Sequence, residues 1–339
     1  MSRPPRDASA RRAPSMADVA ALAGVSHQTV SRVLNEQSLV RPETRERVQR
    51  AMADLGYRRN HAARALVTNR SGLIGLVATH LGFYGPGMIA TAVQDAAHDA
   101  GYEVAQVGLP EISPQALRST VDRLLDRAVE AVVVEVTRRD ALDAVAALRL
   151  PVPVVLVQGV SPGQPLAAGI DQALGGELAT RHLLEVARPG TVVHVTGPLD
   201  WVEAQMRRDG WRAALLRHGA EGRELVGDWT SRSGYEAGRE LAADPSVRAV
   251  FAGNDAMALG VLRALHEAGR DVPGDVAVVG FDDTPDSANF WPPLSTVRQD
   301  FGALGRRAVE LTLRALAGEV APEAELVAPQ LVVRASTTR

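Results

Sequence analysis

The chain has no cysteine and no lysine; all 37 of its basic residues are arginine, a bias from which nothing structural follows. The missing cysteine excludes disulfide scaffolds, thiolate metal sites and cysteine nucleophiles, and it fits a reducing compartment. No apolar run approaches the ~18 residues that a membrane span requires. The strongest runs, 131–136 and 152–157, are of strand length and carry Glu135 or Pro153. Residues 1–15 are positively charged, but no apolar stretch follows them, so they do not read as a secretory signal. The expected location is the cytoplasm. No GxGxxG, Walker A, GxSxG or HExxH pattern occurs, and the 8 histidines are scattered without metal-ligand spacing. Asp282 and Asp283 are adjacent carboxylates, but neighbours on an extended segment point apart, which is poor geometry for an acid and a base acting on one bond. No catalysis, no metal and no cofactor are expected.

What the chain does hold is an uneven charge. Its net −3 divides into +7 over residues 1–70, with 13 Arg against six acidic residues, and −10 over the rest. A basic head on an acidic body suggests an anionic polymer partner for the head alone. At 339 residues and 46% hydrophobic content the chain can bury two or three domains. Residues 1–15 lack periodicity and read as a disordered basic arm. Residues 16–59 are helical in pattern, with Pro42 placed at a first helical position, Val48, Met52 and Leu55 on one stripe, and Gly56 as a stop. The short Ala-rich segment 60–71 reads as a linker. From Gly72 onward, apolar strands (73–77, 103–107, 131–136, 152–157, 191–195, 248–252 and 276–281) alternate with helical stretches, the pattern of parallel sheets covered on both faces. So many units predict two α/β lobes.

The segment ADVAALAGVSHQTVSRVLN fits a helix-turn-helix on physical grounds. Ala20 is small where two helices approach, Gly24 supplies the turn, Val25 and Val30 pack inward, and Ser26 can cap the second helix. His27, Gln28 and Arg32 are then left free to reach base edges in a major groove, where Arg suits guanine and Gln suits adenine. An ordinary helical hairpin is the plainer alternative, and the basic charge of the head weighs against it.

This segment, followed by RPETRERVQRAMADLGYRRNHAARAL, resembles the headpiece and hinge of the lactose/galactose repressor (LacI/GalR) family. GPLDWVEAQMRRDGW, DWTSRSGY, AGNDAMALGVLRAL, DVAVVGFDDT and PPLSTVRQDF continue the resemblance in order through the body, and the lactose-repressor branch is the most similar. The resemblance implies an α/β architecture with an N-terminal helix-turn-helix headpiece and a two-lobed effector domain similar to periplasmic sugar-binding proteins. It places the first lobe at about 72–169 and 298–326 and the second at about 170–297 and 327–339. It also implies a homodimeric repressor of carbohydrate-utilisation genes on pseudo-palindromic double-stranded operator DNA, with no membrane partner. Ser26, His27, Gln28, Thr29, Ser31, Arg32 and Asn35 would serve DNA from the headpiece, and Asn60, Ala63 and Leu66 from a hinge helix, with Leu66 as a wedge in the minor groove. Arg45, Arg47, Arg58 and Arg59 could add phosphate contacts.

Ligands of parallel sheets bind beyond the carboxyl ends of the strands. Asn254, Asp282, Arg207, Thr79 and Tyr84 all follow strand candidates on that rim. A planar Arg and a carboxylate can each grip vicinal hydroxyls with two hydrogen bonds, and Trp229, Trp201 or Phe301 could carry the apolar face of a sugar. By resemblance, Arg207, Trp229, Asn254, Asp282, Gln299 and Phe301 are effector contacts, and Tyr84 joins them from the rim. Helix capping is the plainer role for Asn254 and Asp282. His27, Trp201, Glu203 and Arg139 depart from the lactose-repressor pattern, so a different operator and a bulkier or differently charged pocket are expected. The sequence leaves open the identity of the sugar and whether it releases or recruits the repressor. A co-repressor that is not a sugar is the alternative. The tail LVVRASTTR lacks apolar heptads, so a dimer is expected over a tetramer.

Overall fold

A computed structural model describes residues 14–34, 40–58, 70–146, 148–160, 164–187, 190–320, 324 and 326–338. Residues 1–13 of the arm read at 1–15, together with Asn35, Arg59, Asn60, Ala63 and Leu66, lie outside the described residues. Ser15, at the end of that arm, is instead ordered as the cap of the first helix, because Asp18 gives it a reciprocal bond. The chain divides into two compact units with the boundary between Ser71 and Gly72.

The first unit holds α1 (Met16–Ala23), α2 (His27–Leu34) and α3 (Pro42–Leu55). Ser15 starts α1 with a reciprocal cap: its hydroxyl accepts from Asp18 N at 3.3 Å, and its own backbone N donates to Asp18 Oδ2 at 2.7 Å. Gly24 ends the helix in the left-handed region (φ 61°), a turn that brings Val25 N to within 3.0 Å of Ala20 O. Pro42 opens α3, and Gly56 (φ 62°) closes it. Val19, Val30 and Val48, one from each helix, are fully buried against one another in a common core.

In the second unit, β1 (Leu73–Thr79), α4 (Tyr84–Asp99), β2 (Glu103–Leu109), α5 (Pro114–Leu125), β3 (Ala131–Glu135), α6 (Arg139–Ala146), β4 (Val154–Val157) and β5 (Ala167–Ala168) come first. After α7 (Gln172–Val186) come β6 (Thr191–Thr196), α8 (Val202–His218), β7 (Gly222–Val226), α9 (Ser231–Ala242), β8 (Val247–Ala252), α10 (Asp255–Glu267) and β9 (Ala277–Asp282). The chain ends with β10 (Ser295–Arg298), α11 (Phe301–Leu316) and β11 (Gln330–Val332).

The first sheet has the order β2-β1-β3-β4-β5 and the second β11-β10-β9-β8-β6-β7. All pairings are parallel except that of β11 with β10. Both lobes are therefore wound alike. Strand order reverses between β1 and β3 in one sheet and between β6 and β8 in the other, and each reversal opens a crevice beyond the strand ends. Helices cover both faces: Ile89, Val93 and Leu304 pack on one side of the first sheet, and Leu117, Val121 and Leu124 on the other. That double cover is why Val132, Val133 and Val134 run as a continuous buried apolar stretch.

The chain passes between the lobes three times, at Gly169–Asp171, between β10 and α11, and near Val327. The first and third passages are tied together by Asp171 N to Val327 O at 3.0 Å and Val327 N to Gly169 O at 2.8 Å. The strands β5, β7, β10 and β11 and the helix α11 were not among the sequence-read elements. β7 (GRELV) is a half-exposed edge strand, whose polar side chains hide the apolar signal. No helix among the described residues is long and apolar enough to cross a membrane.

Candidate functional site

In the headpiece, Ser26 caps α2 by accepting from Thr29 N at 3.2 Å, and its hydroxyl meets that of Thr29 at 2.9 Å. His27, Gln28 and Arg32 are exposed and Ser31 is half-buried, so these four occupy the solvent side of α2, opposite Val30 and Val33. That is the disposition a major-groove helix needs. Arg47 is differently employed from the phosphate role read for it. Its guanidinium donates to Ala23 O at 3.1 Å and Gly24 O at 3.4 Å, satisfying carbonyls at the end of α1.

In the second unit a cleft open to solvent lies where the two sets of strand ends face each other. Tyr84, Glu135 and Gln158 reach it from the first lobe, and Trp201, Glu203, Arg207, Trp229, Asn254 and Asp282 from the second, with Gln299 at the crossover. Arg207, buried on α8, is held from several sides. Its Nε donates to Gln172 Oε1 at 2.8 Å, Nη1 donates to Gly253 O, and the guanidinium lies 3.7 Å from the ring centroid of Phe281. Gln172 Nε2 donates to Gln299 Oε1 at 2.8 Å, and Gln299 Nε2 donates to Asp282 Oδ1 at 2.7 Å. Asp282 Oδ1 stands 3.9 Å from Arg207 Nη2, which closes a ring of four buried side chains. Burial pushes the Asp282 carboxyl up to about 6 against the opposing pull of Arg207 and the Gln299 hydrogen bond.

Backbone geometry holds this ring in place. Helices α7 and α8 touch through glycines: a Cβ at Gly210 would strike the carbonyl oxygen of Ala173, and one at Gly176 that of Arg207. Among the described non-glycine residues with positive φ, three line the cleft: Gln158 (67°), Trp229 (71°) and Asp282 (113°). Such strain persists where the surrounding structure over-determines it, commonly at ligand sites.

One wall is aromatic. His80, Phe83, Trp201 and Trp229 follow one another with centroid separations of 6.3, 5.7 and 5.7 Å, Phe83 and Trp229 each standing edge-on to Trp201. The edge of the cleft is already bridged beside this wall. Val202 N donates to Thr137 O at 2.9 Å, and Arg138 pairs with Asp200.

The structure thus brings Tyr84, Arg207, Trp229, Asn254, Asp282 and Gln299 together. It does not bring Phe301 to the cleft wall. Phe301 packs in the core of the first lobe behind Tyr84, edge-on at 6.0 Å, because the first turn of α11 faces α4. Asn254 does cap a helix: its Oδ1 accepts from Met257 N at 2.8 Å while Nδ2 donates to Trp229 O at 3.0 Å. It therefore positions Trp229 as well as lining the cleft. Arg139 is exposed outside the cleft, bonded to Gln205 at 3.0 Å. The sequence reading missed Gln172, Glu135 and Gln158. The partner of Gln172 is 127 residues away, and Glu135 looks like an interruption in an apolar strand.

Residues 15–60 match the family described as bacterial regulatory proteins, lacI family, and residues 188–337 match the periplasmic binding protein-like domain. The chain is 35% identical to the lactose operon repressor of Escherichia coli K12 over 94% of its own length and 89% of that protein. A crystal structure of the lac repressor dimer bound to operator and the anti-inducer ONPF superposes with a TM-score of 0.84 at 33% identity, covering 96% of this chain and 99% of that one. A complex of the transcriptional regulator CelR with cellobiose superposes with a TM-score of 0.69 at 34% identity, covering 95% and 99%.

Proposed function

The chain belongs to the lacI family of bacterial regulatory proteins, DNA-binding transcriptional regulators and not enzymes, and from that premise we propose a homodimeric repressor of sugar-utilisation genes that a saccharide releases from its operator. The observation that carries the effector half of this reading is the ring Arg207–Gln172–Gln299–Asp282 facing an aromatic wall across a cleft shared by both lobes. Such a site grips vicinal hydroxyls on one side and an apolar sugar face on the other. The relatives support it in kind, since one is bound to cellobiose and another is a dimer on operator DNA.

A saccharide that touches Tyr84 on one lobe and Arg207 on the other stabilises the lobe arrangement in which both contacts exist. It shifts the equilibrium only by its differential affinity for the two arrangements, typically ~1–3 kcal/mol. A two-fold dimer presents two copies of α2, which calls for a pseudo-palindromic operator. Asn60, Ala63 and Leu66 are assigned to the operator's minor groove by family resemblance, and the protein works on cytoplasmic, nucleoid DNA.

Fluorescence anisotropy on an operator fragment, titrated with a panel of mono- and disaccharides, tests the reading. One member of the panel should weaken operator binding, and operator should weaken binding of that sugar by the same factor, because linkage is reciprocal. Sugar affinities unchanged by saturating operator, alongside a real release by sugar, would falsify the coupled two-state account. Tightening in place of release would make the effector a co-repressor.

A further inference from the structure

The ring of Arg207, Gln172, Gln299 and Asp282 occupies one side of the cleft, with Arg207 Nη2 making only a 3.9 Å approach to Asp282 Oδ1. Elsewhere in the cleft, the carboxyl oxygens of Glu135 and Glu203 are all buried without a hydrogen-bond partner from another residue, and Gln158 Oε1 is in the same state. Glu135 is fully buried at the end of β3, and Glu203 is 5% exposed in the first turn of α8, so the two approach from opposite lobes. Once the two acids ionise, these orphaned oxygens are acceptors, and the buried Trp229 Nε1 is an orphaned donor beside them. The cation with the strongest electrostatic pull on Glu203 is Arg207, whose Nε and Nη1 are already committed to Gln172 and Gly253.

From this geometry we propose that Glu135, Glu203 and Gln158 form a cation subsite, and that the effector is a saccharide bearing a protonated amino group. The proposal rests on the reading of this cleft as a saccharide site and refines it. An ammonium has three donors, no acceptor and a positive charge, which matches two buried acids and the Gln158 carbonyl oxygen. A hydroxyl offers one donor and no charge to offset ionisation of the pair. Burial drives the Glu203 carboxyl up to about 7, and burial together with the charge on Glu203 holds Glu135 well above the ordinary carboxylate range. The acid pair is thus costly to ionise until a cation enters.

Calorimetry on the full chain with matched probes decides it. Cellobiose is compared with the β1,4-linked glucosamine dimer and its N-acetylated form, and glucose and galactose with glucosamine and galactosamine. In at least one series the free amine should bind at least about tenfold tighter than the hydroxyl compound, since a hydrogen bond to a charged group contributes more than a neutral one. The acetylated form should lose that advantage. Glu135→Gln with Glu203→Gln keeps the shape of both side chains and should bring the amine-to-hydroxyl ratio to about one, with circular dichroism confirming an intact fold. Hydroxyl sugars that bind as tightly as their amines in every series, or a ratio that survives the double substitution, overturn the cation subsite while the saccharide reading stands. If no probe of either kind binds, the saccharide reading falls and this proposal with it.

Discussion

Arg207 does several jobs with one planar group, and each job uses a different nitrogen or face. Nε and Nη1 anchor it to Gln172 and Gly253, its plane rests on Phe281, and Nη2 faces Asp282. A lysine in its place would have no fork to divide among these partners. Arg207→Ala leaves Gln172 Oε1 and the Asp282 carboxylate buried without their partner, and should reduce effector affinity by ~2 kcal/mol or more. Operator binding without effector should persist, because α2 belongs to the other unit. Loss of both activities in an otherwise folded Arg207→Ala chain would count against a role confined to the effector. On the DNA side, Arg32 is exposed on α2. If it reads a guanine edge, Arg32→Ala should cost ~1–3 kcal/mol on operator and relax one base position. Equal losses on operator and on random duplex would reassign it to phosphate.

At the level of elements, α8 carries both Glu203 and Arg207, and its position is set by its approach to α7. That approach is possible because Gly210 and Gly176 lack side chains where the two backbones meet. Gly210→Ala should therefore force the helices apart, lowering the melting temperature and weakening effector binding together, an overpacking penalty of typically ~1–3 kcal/mol. A variant that melts earlier but binds effector unchanged would show that the cleft does not depend on this contact. In the headpiece, the positions of α1 and α2 follow from short-range chemistry: the Ser15–Asp18 cap, the left-handed Gly24 and the Ser26 cap.

For the second unit as a whole, buried acids gather in the cleft (Glu135, Glu203 and Asp282) and beside it (Asp255). Burial raises Asp255 and Glu203 to about 7 and Asp282 to about 6, above the ordinary carboxylate values. For an acid whose folded pKa is raised, the native state holds more protons than the unfolded chain between the two values. Stability is then full at low pH and lost as pH rises through the folded pKa. His194 acts in the opposite sense: burial lowers it from 6.5 to about 3, so its contribution is lost as pH falls below 6.5. Above about pH 6.5 the acids act without this opposition, and the melting temperature should decline between about pH 6.5 and 8.5. Glu203→Gln should flatten that decline, as read by differential scanning calorimetry across the window. A melting temperature that rises with pH in this range would contradict the burial of these acids.

Much of the molecule was written locally. Helix starts and stops at Ser15, Gly24, Ser26, Pro42 and Gly56 depend on side chains within three or four residues, and the continuous apolar strands announce parallel sheets because both faces are buried. The polar residues that follow those strands were legible as a rim for the same reason: the chain direction of a parallel sheet sends every carboxyl end the same way. What only the tertiary structure decided depends on contacts between distant segments. Gln172 becomes part of the site by meeting Gln299 and Arg207, and Phe301 leaves it because α11 packs onto α4. Glu135 looks in sequence like a flaw in an apolar strand. It becomes half of an acid pair only when the second lobe brings Glu203 to it, because whether a buried charge is a liability or a binding group depends on what faces it, and here that group comes from the other lobe.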